Sequence, residues 1–561
     1  MIKKFSIFAG IIFLAVFLRL YNLSNVPPSV SLDEVSIGYN AYSILKTGAD
    51  EYGNKFPLLL RAYDDWRPAL YVYLVIPFVK FFGLNAFAVR MPSVILSVAT
   101  IIATYFLVKE LFGERGKTQN KTQNYADNLA LFTSFLLTIS PWHIYISRLG
   151  HEANAGFAFG LFAIFFFLKF INNPKGTYLY VSAILFGLSF YSYQSEKVFV
   201  PLIIVALSFI FFQKLIQRKK QVFLAAFLGL IIVVPVLIAT FSPNGLIRFK
   251  ATSAFNINDE SYTNAAKDRL IAKQRGDILR EIINNNRFVT IKIFLSNYLS
   301  HFNPYWLFTN NANEDFKAPE VGLMYRWEFP FIILGIIYLF FTKKLDKKIK
   351  LLISSWILIS PIAASITTAS PHAMRVYNLL PIPQILIALG LLQTTFFLRN
   401  ILNSKYILLY RAIIFVFFLI VVANASYFYK QYFYIFPKEQ SDSFQYALSK
   451  SISFVLEYDK SYGKIVFSNQ DNLYQSYMFF LFYSKYDPKF YQKLGATKSG
   501  GFAETHSFGK YEFRPIKWDK ELKDQNILYV GNSEDFPENV GAIKTVDYLN
   551  GELGIKIIKG N

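Results

Sequence analysis

The sequence contains no cysteine, so neither disulfide bonds nor cysteine-ligated metal sites stabilise this protein. This absence is compatible with an exported domain but does not establish export. A cleavage signal is missing as well. Lys3 and Lys4 precede an apolar block over residues 5–20, and no small-residue cleavage site follows that block. We therefore expect a retained signal anchor, closed by Arg19 and Tyr21, instead of a removed secretory signal.

Apolar residues make up 53% of the 561 positions, with 59 Phe and 37 Tyr among them. Soluble domains average about 45–50% apolar residues even when glycine is counted. Long apolar blocks recur from residue 5 to residue 422, whereas the sequence after Tyr429 has the composition of an ordinary soluble protein. Runs of ~18 or more apolar residues with few charges predict membrane-spanning helices. The sequence thus predicts a polytopic membrane protein with a soluble tail.

The formal charge of +21 is concentrated in short loops, so it does not predict nucleic-acid binding. Short loops rich in Lys and Arg stay cytoplasmic. These loops and the basic N-terminus are therefore predicted to lie on the cytoplasmic side of the plasma membrane. The four basic clusters are Lys109, Arg115, Lys117 and Lys121; Lys214, Arg218, Lys219 and Lys220; Lys343, Lys344, Lys347, Lys348 and Lys350; and Arg399, Lys405 and Arg411.

The number of spans follows from this orientation. If residues 5–20 run outward, only one further span reaches the first basic cluster, yet the apolar stretches 69–83 and 89–112 both lie between them. The first is short and is interrupted by Pro77 and Lys80, which favours a helix on the outer membrane surface. Alternation then predicts about eleven crossings. The other predicted spans are 129–146, 153–171, 178–193, 198–212, 222–241, 327–341, 351–368, 376–398 and 406–422.

The predicted architecture is an α-helical membrane domain over residues 1–424, with outer loops at 21–88 and 242–326, and a small extracytoplasmic α/β domain over 425–561. In the tail, residues 441–457 have helical spacing, and KIVFS (464–468) and NILYV (526–530) predict strands. Residues 546–559 alternate like a hairpin around Asn550-Gly551.

Adjacent carboxylates stand just past the first span, in SLDEVSIGYNAYSIL (31–45). Ser31 can cap a helix here, and Asp33 and Glu34 in its first turn would favour the helix dipole by ~0.3–1 kcal/mol. Consecutive helical residues point about 100° apart. The two carboxylates are therefore not expected to share one substrate atom, and one would catalyse while the other positions.

This motif and six others together resemble, over nearly the whole chain, the bacterial GT-C glycosyltransferases of the protein O-mannosyltransferase and aminoarabinose transferase type (glycosyltransferase family 39). An Asp-Glu pair in the first outer loop is the family's most specific mark. One departure is Arg67-Pro68-Ala69, where many relatives have Lys-Pro-Pro, and Arg and Lys are not interchangeable. The other matching segments are TGADEYGNKFPL (47–58), WRPALYVYLVIPFVKFFGLNAFAVRMPS (66–93), SPWHIYISRLGHEAN (140–154), YSYQSEKVFVP (191–201), YLSHFNPYWLF (298–308) and SPHAMRVYNLLP (370–381).

The resemblance implies transfer of a sugar, with inversion, from a polyprenyl-phosphate donor to an extracytoplasmic hydroxyl or amine. Such a reaction needs a base for the acceptor proton, a contribution of ~10²–10⁴-fold, and cations for the departing phosphate. Asp33 matches the family's catalytic Asp, with Glu34 supporting the acceptor or the loop. Partial desolvation would raise the pKa of Asp33, and a nearby Arg would oppose that shift.

Cationic residues at predicted outer helix ends are the candidates for binding the donor phosphate, and a further set is predicted to bind substrate. Each also has an ordinary structural interpretation, such as an arginine that snorkels at a helix end or a histidine at an interface. The predicted phosphate-binding residues are Arg90, Arg148, His151, His372 and Arg375. The predicted substrate-binding residues are Arg67, Trp142, Glu196 and His301. The Phe/Tyr belts are expected to be lipid-facing anchors.

No cofactor is required beyond the lipid-linked donor. A divalent metal is compatible with His151, Glu152, Glu196 and His301 but is not predicted, because no metal-type His/Glu spacing occurs. The expected partners are membrane lipids, the donor, and a protein, lipid or glycan acceptor. Neither the sugar nor the acceptor follows from the sequence.

Three other functions remain open. A transporter or flippase would place ionisable residues or broken helices at the bilayer midplane. A non-catalytic polymer-binding or assembly protein would work through its tail domain. A polymerase or ligase of lipid-linked glycans would not require the Asp-Glu pair of the first loop.

Overall fold

The computed structural model describes residues 2–63, 65–113, 119–256, 260–309, 316–402, 406–498, 501 and 504–560. Arg115, Lys117 and Lys405, from the predicted basic clusters, lie outside the described residues. The chain divides into two compact units. The first comprises Met1–Leu14, Ala99–Ile144 and Gly156–Ala425, and the second comprises Ala15–Val98, Tyr145–Ala155 and Ser426–Asn561. The predicted boundary at residue 424 stays a prediction.

Helices dominate both units. In chain order they are α1 (Ile2–Leu20), α2 (Leu32–Thr47), α3 (Leu70–Phe82), α4 (Ala86–Phe112), α5 (Gln119–Ile139), α6 (Pro141–Ser147), α7 (Glu152–Asn172), α8 (Gly176–Phe190), α9 (Glu196–Ile210), α10 (Phe212–Ile216), α11 (Lys219–Thr240), α12 (Pro243–Thr252), α13 (Glu260–Gln274), α14 (Ile278–Ile283), α15 (Asn286–Ser300), α16 (Pro304–Phe308), α17 (Glu328–Phe341), α18 (Lys347–Ile359), α19 (Ile362–Ser365), α20 (Ile382–Ile401), α21 (Ile407–Lys430), α22 (Phe436–Glu439), α23 (Tyr446–Tyr458), α24 (Ser476–Ser484) and α25 (Pro488–Leu494).

Several of these helices are long and apolar enough to cross a bilayer. Within the described ranges there are six, and a bent helix pair, Gln123–Ile139 with Pro141–Ser147, would make a seventh. The six are Ala86–Phe112, Glu152–Asn172, Lys219–Thr240, Lys347–Ser365, Tyr377–Ile401 and Ile407–Glu439. The chain is thus a multi-pass membrane protein. The finer prediction of eleven crossings, and of which side faces the cytoplasm, stays a prediction.

The apolar stretch 69–83 forms α3, a helix of 13 residues. At 1.5 Å per residue it is about 20 Å long, too short for a hydrocarbon core of about 30 Å. Tyr71, Val75 and Val79 are buried on one side, while Phe81 is exposed. Its length agrees with the expected non-spanning helix, and its position on the outer surface stays a prediction.

Strands form a small hairpin in the first loop and a larger sheet in the tail. The hairpin pairs β1 (Leu59–Ala62) with β2 (Asp65–Pro68). The tail sheet has six strands in the order β4-β5-β3-β6-β8-β7. Its strands are β3 (Lys464–Phe467), β4 (His506–Phe508), β5 (Tyr511–Phe513), β6 (Ile527–Asn532), β7 (Lys544–Asp547) and β8 (Leu553–Lys559). The predicted strands correspond to β3 and β6, and the predicted terminal hairpin corresponds to the antiparallel pair β7–β8.

Helix α2 of the first loop packs against the tail within the second unit. Ser29 Oγ lies 3.0 Å from Tyr483 Oη, and Tyr39 Oη donates to the carbonyl oxygen of Tyr486 at 3.1 Å. Gly38 permits the close approach, since a Cβ there would clash with the Phe482 ring. The first loop and the tail therefore lie on the same side of the membrane, and α2 is fixed by both.

Candidate active site

A capping box begins α2 and separates the roles of its two acidic residues. The Glu34 backbone N–H donates to Ser31 Oγ at 3.3 Å, and the Ser31 N–H donates to Glu34 Oε2 at 2.8 Å. This reciprocal pairing satisfies two helix-terminal donors. Glu34 is therefore committed to the helix terminus, whereas Asp33 takes no part in the cap.

Asp33 lies between an arginine and a histidine from distant parts of the sequence. Arg67 Nη2 is 2.7 Å from Asp33 Oδ1, and His151 Nε2 is 3.5 Å from Asp33 Oδ2. The hairpin positions the arginine, because Arg67 on β2 pairs with Leu60 on β1. The Asp33 side chain remains 32% exposed, so a substrate atom can reach its carboxylate.

Arg67 and His151 determine the protonation of Asp33. Burial by itself would raise the pKa of Asp33, but the Arg67 charge and the hydrogen bond from His151 outweigh it and hold that pKa well below its ordinary value. Burial opposes the charged form of His151, yet Glu152 and Asp33 raise its pKa overall. Asp33 is thus ionised at any physiological pH.

The imidazole of His151 is oriented by the backbone. The Ala153 N–H donates to His151 Nδ1 at 3.1 Å, so in the neutral ring Nδ1 accepts and the proton resides on Nε2, facing Asp33. Glu152 Oε2 lies 3.6 Å from Nδ1. The structure therefore brings Asp33, Arg67 and His151 together, whereas their sequence positions gave no spacing signal that links them.

Arg90 is fully buried and binds the first loop instead of facing a cavity. Its Nε donates to Glu34 Oε1 at 2.7 Å and its Nη2 to Glu34 Oε2 at 3.0 Å. Nη1 and Nη2 also donate to the carbonyl oxygens of Leu23, Pro27 and Ser29. Every guanidinium nitrogen already has a protein acceptor, which favours a structural role, and the predicted phosphate binding stays a prediction.

Arg148 is buried in the same way. Its Nη1 donates to the carbonyl oxygens of Leu18 and Arg19, and its Nη2 donates to that of Val26. Nearby, the Gly150 N–H donates to Glu34 Oε1 at 2.8 Å, and a Cβ at this glycine would clash with Val89. Arg148 therefore holds the chain that leads into α2, which argues against direct phosphate binding.

His301, His372 and Arg375 form a second polar group, in the first unit. His301 Nδ1 lies 2.7 Å from the Asn297 carbonyl oxygen, and its Nε2 accepts from the His372 N–H at 3.3 Å. Burial lowers the pKa of His301 to about 4, so this ring is neutral. Arg375 is partly exposed and donates from Nη1 to Thr367 Oγ1 at 2.7 Å.

Two predicted substrate-binding residues are buried in the first unit. Trp142 has no exposed surface, and its indole N–H donates to the Ala373 carbonyl oxygen at 3.0 Å. Glu196 accepts from Asn378 Nδ2 at 2.7 Å and from Ser189 Oγ at 3.0 Å. These contacts favour structural roles for both residues, and their predicted contact with substrate stays untested.

Asp50 and Glu51 form a second acidic pair in the first loop, and the sequence motif predicts no role for them. Glu51 is completely buried, and Asn40 Nδ2 donates to its Oε1 at 3.1 Å. Burial raises the pKa of Glu51 to about 8. The nearby small cavity is lined by Asn40, Arg67, Tyr71 and Glu152, among others.

Within the described ranges, no group of three or more His, Asp or Glu residues is arranged to hold a metal ion.

Comparisons with known proteins give one family match and several structural matches. Residues 67–238 match the family model of dolichyl-phosphate-mannose-protein mannosyltransferases. No curated protein sequence matches the chain. The chain is similar in structure to ArnT from Cupriavidus metallidurans bound to undecaprenyl phosphate, with 10% identity, a TM-score of 0.53, and coverage of 98% of this chain and 97% of ArnT.

Two further structures are similar. ArnT in the apo state gives 12% identity and a TM-score of 0.52, covering 99% of this chain and 97% of ArnT. The oligosaccharyltransferase AglB from Archaeoglobus fulgidus, solved with an inhibitory peptide and a dolichol-phosphate, gives 14% identity and a TM-score of 0.49, covering 94% of this chain and 69% of AglB. Residues 67–238 thus resemble the protein mannosyltransferase family, and the chain shares the fold of ArnT over nearly its whole length.

Proposed function

We propose that this protein transfers a sugar from a polyprenyl-phosphate donor to an extracytoplasmic acceptor, with inversion and with Asp33 as the base. The observation that carries the proposal is the ionised, partly exposed carboxylate of Asp33, held by Arg67 and His151 at the start of α2. A donor of this class is supported by the ArnT structure, which contains undecaprenyl phosphate, and by the mannosyltransferase family match.

The proposed reaction is a single displacement. The acceptor oxygen or nitrogen attacks C1 of the sugar, the bond from C1 to the phosphate oxygen breaks, and the lipid phosphate leaves. The acceptor proton passes to Asp33, whose two oxygens are oriented by its cationic neighbours. Positioning of this kind lets a weak base act, because the acceptor becomes more acidic as its bond to C1 forms.

The roles of the remaining residues follow from their exposure. Arg67 positions Asp33 and keeps it ionised, and His151 fixes the second carboxylate oxygen. Arg375 and His372 are partly exposed and remain our proposed ligands of the donor phosphate, since arginine matches phosphate oxygens in a bidentate manner. Glu34, Arg90 and Arg148 are proposed to support the loop that carries Asp33.

The test is radiolabelled transfer from a panel of undecaprenyl-phosphate-linked hexoses and pentoses by membranes containing each variant. We expect Asp33→Asn to lower incorporation by ~10²–10⁴-fold. Asp487→Asn is the matched control, because it makes the same chemical change at an exposed helix cap, where Asn also accepts the Lys489 N–H. Equal incorporation by wild type and Asp33→Asn, with both proteins folded, would refute the assignment.

A further inference from the structure

The loop between α11 and α17 carries an exposed apolar surface on two consecutive helices. On α14, Ile278 and Leu279 are 72% and 68% exposed, and Ile282 and Ile283 are about half exposed. On α15, large apolar side chains recur at helical spacing and are likewise about half exposed, namely Phe288, Ile291, Leu295 and Leu299. Soluble surfaces rarely leave so many large apolar side chains together in water.

This surface is not the side by which the loop packs on itself. The core between α13 and α15 is formed by Tyr262, Ala265 and Val289, with Ile293 against it. Phe288, Ile291 and Leu295 lie one or two residues from Val289 or Ile293, on a different face of the helix. Lys292 and Ser296 are also exposed, so α15 has three faces: core, apolar and polar.

Contacts to a spanning helix place α15 at the level of the membrane. Tyr298 Oη donates to the Leu358 carbonyl oxygen at 2.8 Å, and Asn297 Nδ2 donates to that of Ser365 at 3.2 Å. Both acceptors belong to the candidate span Lys347–Ser365, and the Leu358 side chain is itself exposed. The apolar face of α15 is thus continuous with the exposed apolar surface of this candidate span. With 15 residues, α15 is about 22 Å long.

We propose that α14 and α15 form a lipid-binding anchor that lies in the adjacent leaflet, with their apolar side chains at the boundary of headgroups and acyl chains. Amphipathic helices bind in this position through buried apolar area and through attraction of basic residues to anionic lipid. Residues 275–292 contain four basic and two acidic side chains, so anionic headgroups fit the polar rim. The anchor holds the loop at the bilayer surface up to His301, and it does not depend on the sugar-transfer reaction.

The absence of cysteine allows a direct test with single cysteines that carry a nitroxide spin label. Leu279→Cys and Leu295→Cys probe the apolar face, while Ser296→Cys and Asn264→Cys are matched controls on exposed polar faces of α15 and α13. The labelled full-length proteins are reconstituted in vesicles of phosphatidylcholine and phosphatidylglycerol. Collision rates with oxygen, which partitions into lipid, and with a water-soluble nickel complex are then measured.

We expect the ratio of oxygen to nickel collisions to be several-fold higher at positions 279 and 295 than at 296 and 264. Equal ratios at all four positions would show that the surface faces water and would overturn the proposal. Low access for both reagents at 279 and 295 would show that protein covers the surface, from a second copy or a partner, and would overturn it as well. Thermal unfolding of each labelled protein confirms that the fold is retained.

Discussion

Among single residues, Asp33 combines two properties that oppose each other in the general base that we propose it to be. Its neighbours lower its pKa, which keeps it ionised but makes it a weak proton acceptor. Catalysis by such a carboxylate depends on orientation more than on basicity, since well-placed groups gain much of their effect from a pre-formed geometry. Arg67 is therefore expected to control the pH range in which Asp33 works.

Replacing Arg67 tests this relation. Arg67→Met removes the charge that lowers the pKa of Asp33, so that pKa should rise. Because the base must be ionised, the acidic limb of the activity profile should move to higher pH. Arg67→Lys keeps the charge and should shift the limb less. Transfer rates measured across pH, with exposed Arg326→Met as the control, check this. An unchanged acidic limb in Arg67→Met would show that Arg67 does not set the protonation of Asp33.

Glu51 should make stability depend on pH in the opposite direction from Asp33. Burial raises its folded-state pKa to about 8, above its ordinary value of 4.5. The folded state thus binds this proton more tightly than the unfolded state, and stability should fall as the pH rises from about 4.5 towards 8.

The variant Glu51→Gln removes this titration and keeps the oxygen that accepts from Asn40. We expect it to raise the melting temperature of the detergent-solubilised protein at pH 8, with little effect at pH 5. Exposed Glu457→Gln is the control. A Glu51→Gln protein whose melting temperature follows pH as wild type does would contradict the assignment.

The residues of the site could be predicted only in part. The Asp-Glu motif indicates Asp33, and the capping pattern Ser31-x-x-Glu34 indicates the cap. The hydrogen-bond partners of Arg90 and Arg148 could not be predicted from the sequence. Both arginines donate to backbone carbonyl oxygens of the first loop, and the residue types of that loop do not indicate its backbone path. Their position near helix ends suits phosphate binding equally well, and only their burial separates the two roles.

At the scale of elements, the buried pair of Glu34 and Arg90 joins α2 to α4. Breaking one partner of a buried ion pair costs about 3–5 kcal/mol. We expect Arg90→Met to lower the melting temperature strongly, and the double variant with Glu34→Gln to lose less than the sum of the single variants. Exposed Arg399→Met should leave the melting temperature unchanged.

The same variants separate a structural role from a catalytic one. A phosphate-binding arginine would raise the KM for the lipid donor while leaving the protein as stable as wild type. An Arg90→Met protein with an unchanged melting temperature and a raised donor KM would therefore support the phosphate-binding assignment. Thermal unfolding in detergent and donor titration of the transfer reaction provide the two measurements.

Elements of the tail could be predicted where local signals are strong. The β-branched run at Lys464–Phe467 and the Asn550-Gly551 turn before Leu553–Lys559 both carry such signals. The short strands His506–Phe508 and Tyr511–Phe513 have three residues each, too few for a period to show. The parallel pairing of β3 with β5 and β6 joins distant segments, which local patterns do not encode.

For the whole molecule, the main consequence is that the first loop and the tail form one body. Gln492 on α25 donates from Nε2 to the Asp50 carbonyl oxygen at 2.7 Å, and Arg61 on β1 donates from Nη1 to the Thr497 carbonyl oxygen at 3.5 Å. Hydrogen bonds with the tail thus stabilise the loop that carries Asp33 and Arg67. We therefore expect the tail to position the candidate site, a role that its own residue types did not suggest.

Because the first loop and the tail share one side of the membrane, the predicted orientation can be tested at two points far apart in sequence. In a chain without cysteine, Asn550→Cys lies in the exposed turn of the tail hairpin and Lys343→Cys in a predicted cytoplasmic basic loop. A membrane-impermeant maleimide should label Asn550→Cys in intact cells, and Lys343→Cys only after permeabilisation. The reverse pattern would invert the topology and place Asp33 in the cytoplasm, where an extracytoplasmic acceptor could not reach it. Labelling of both sites in intact cells would require an even number of crossings between Lys343 and the tail, against the odd number that the basic loops predict.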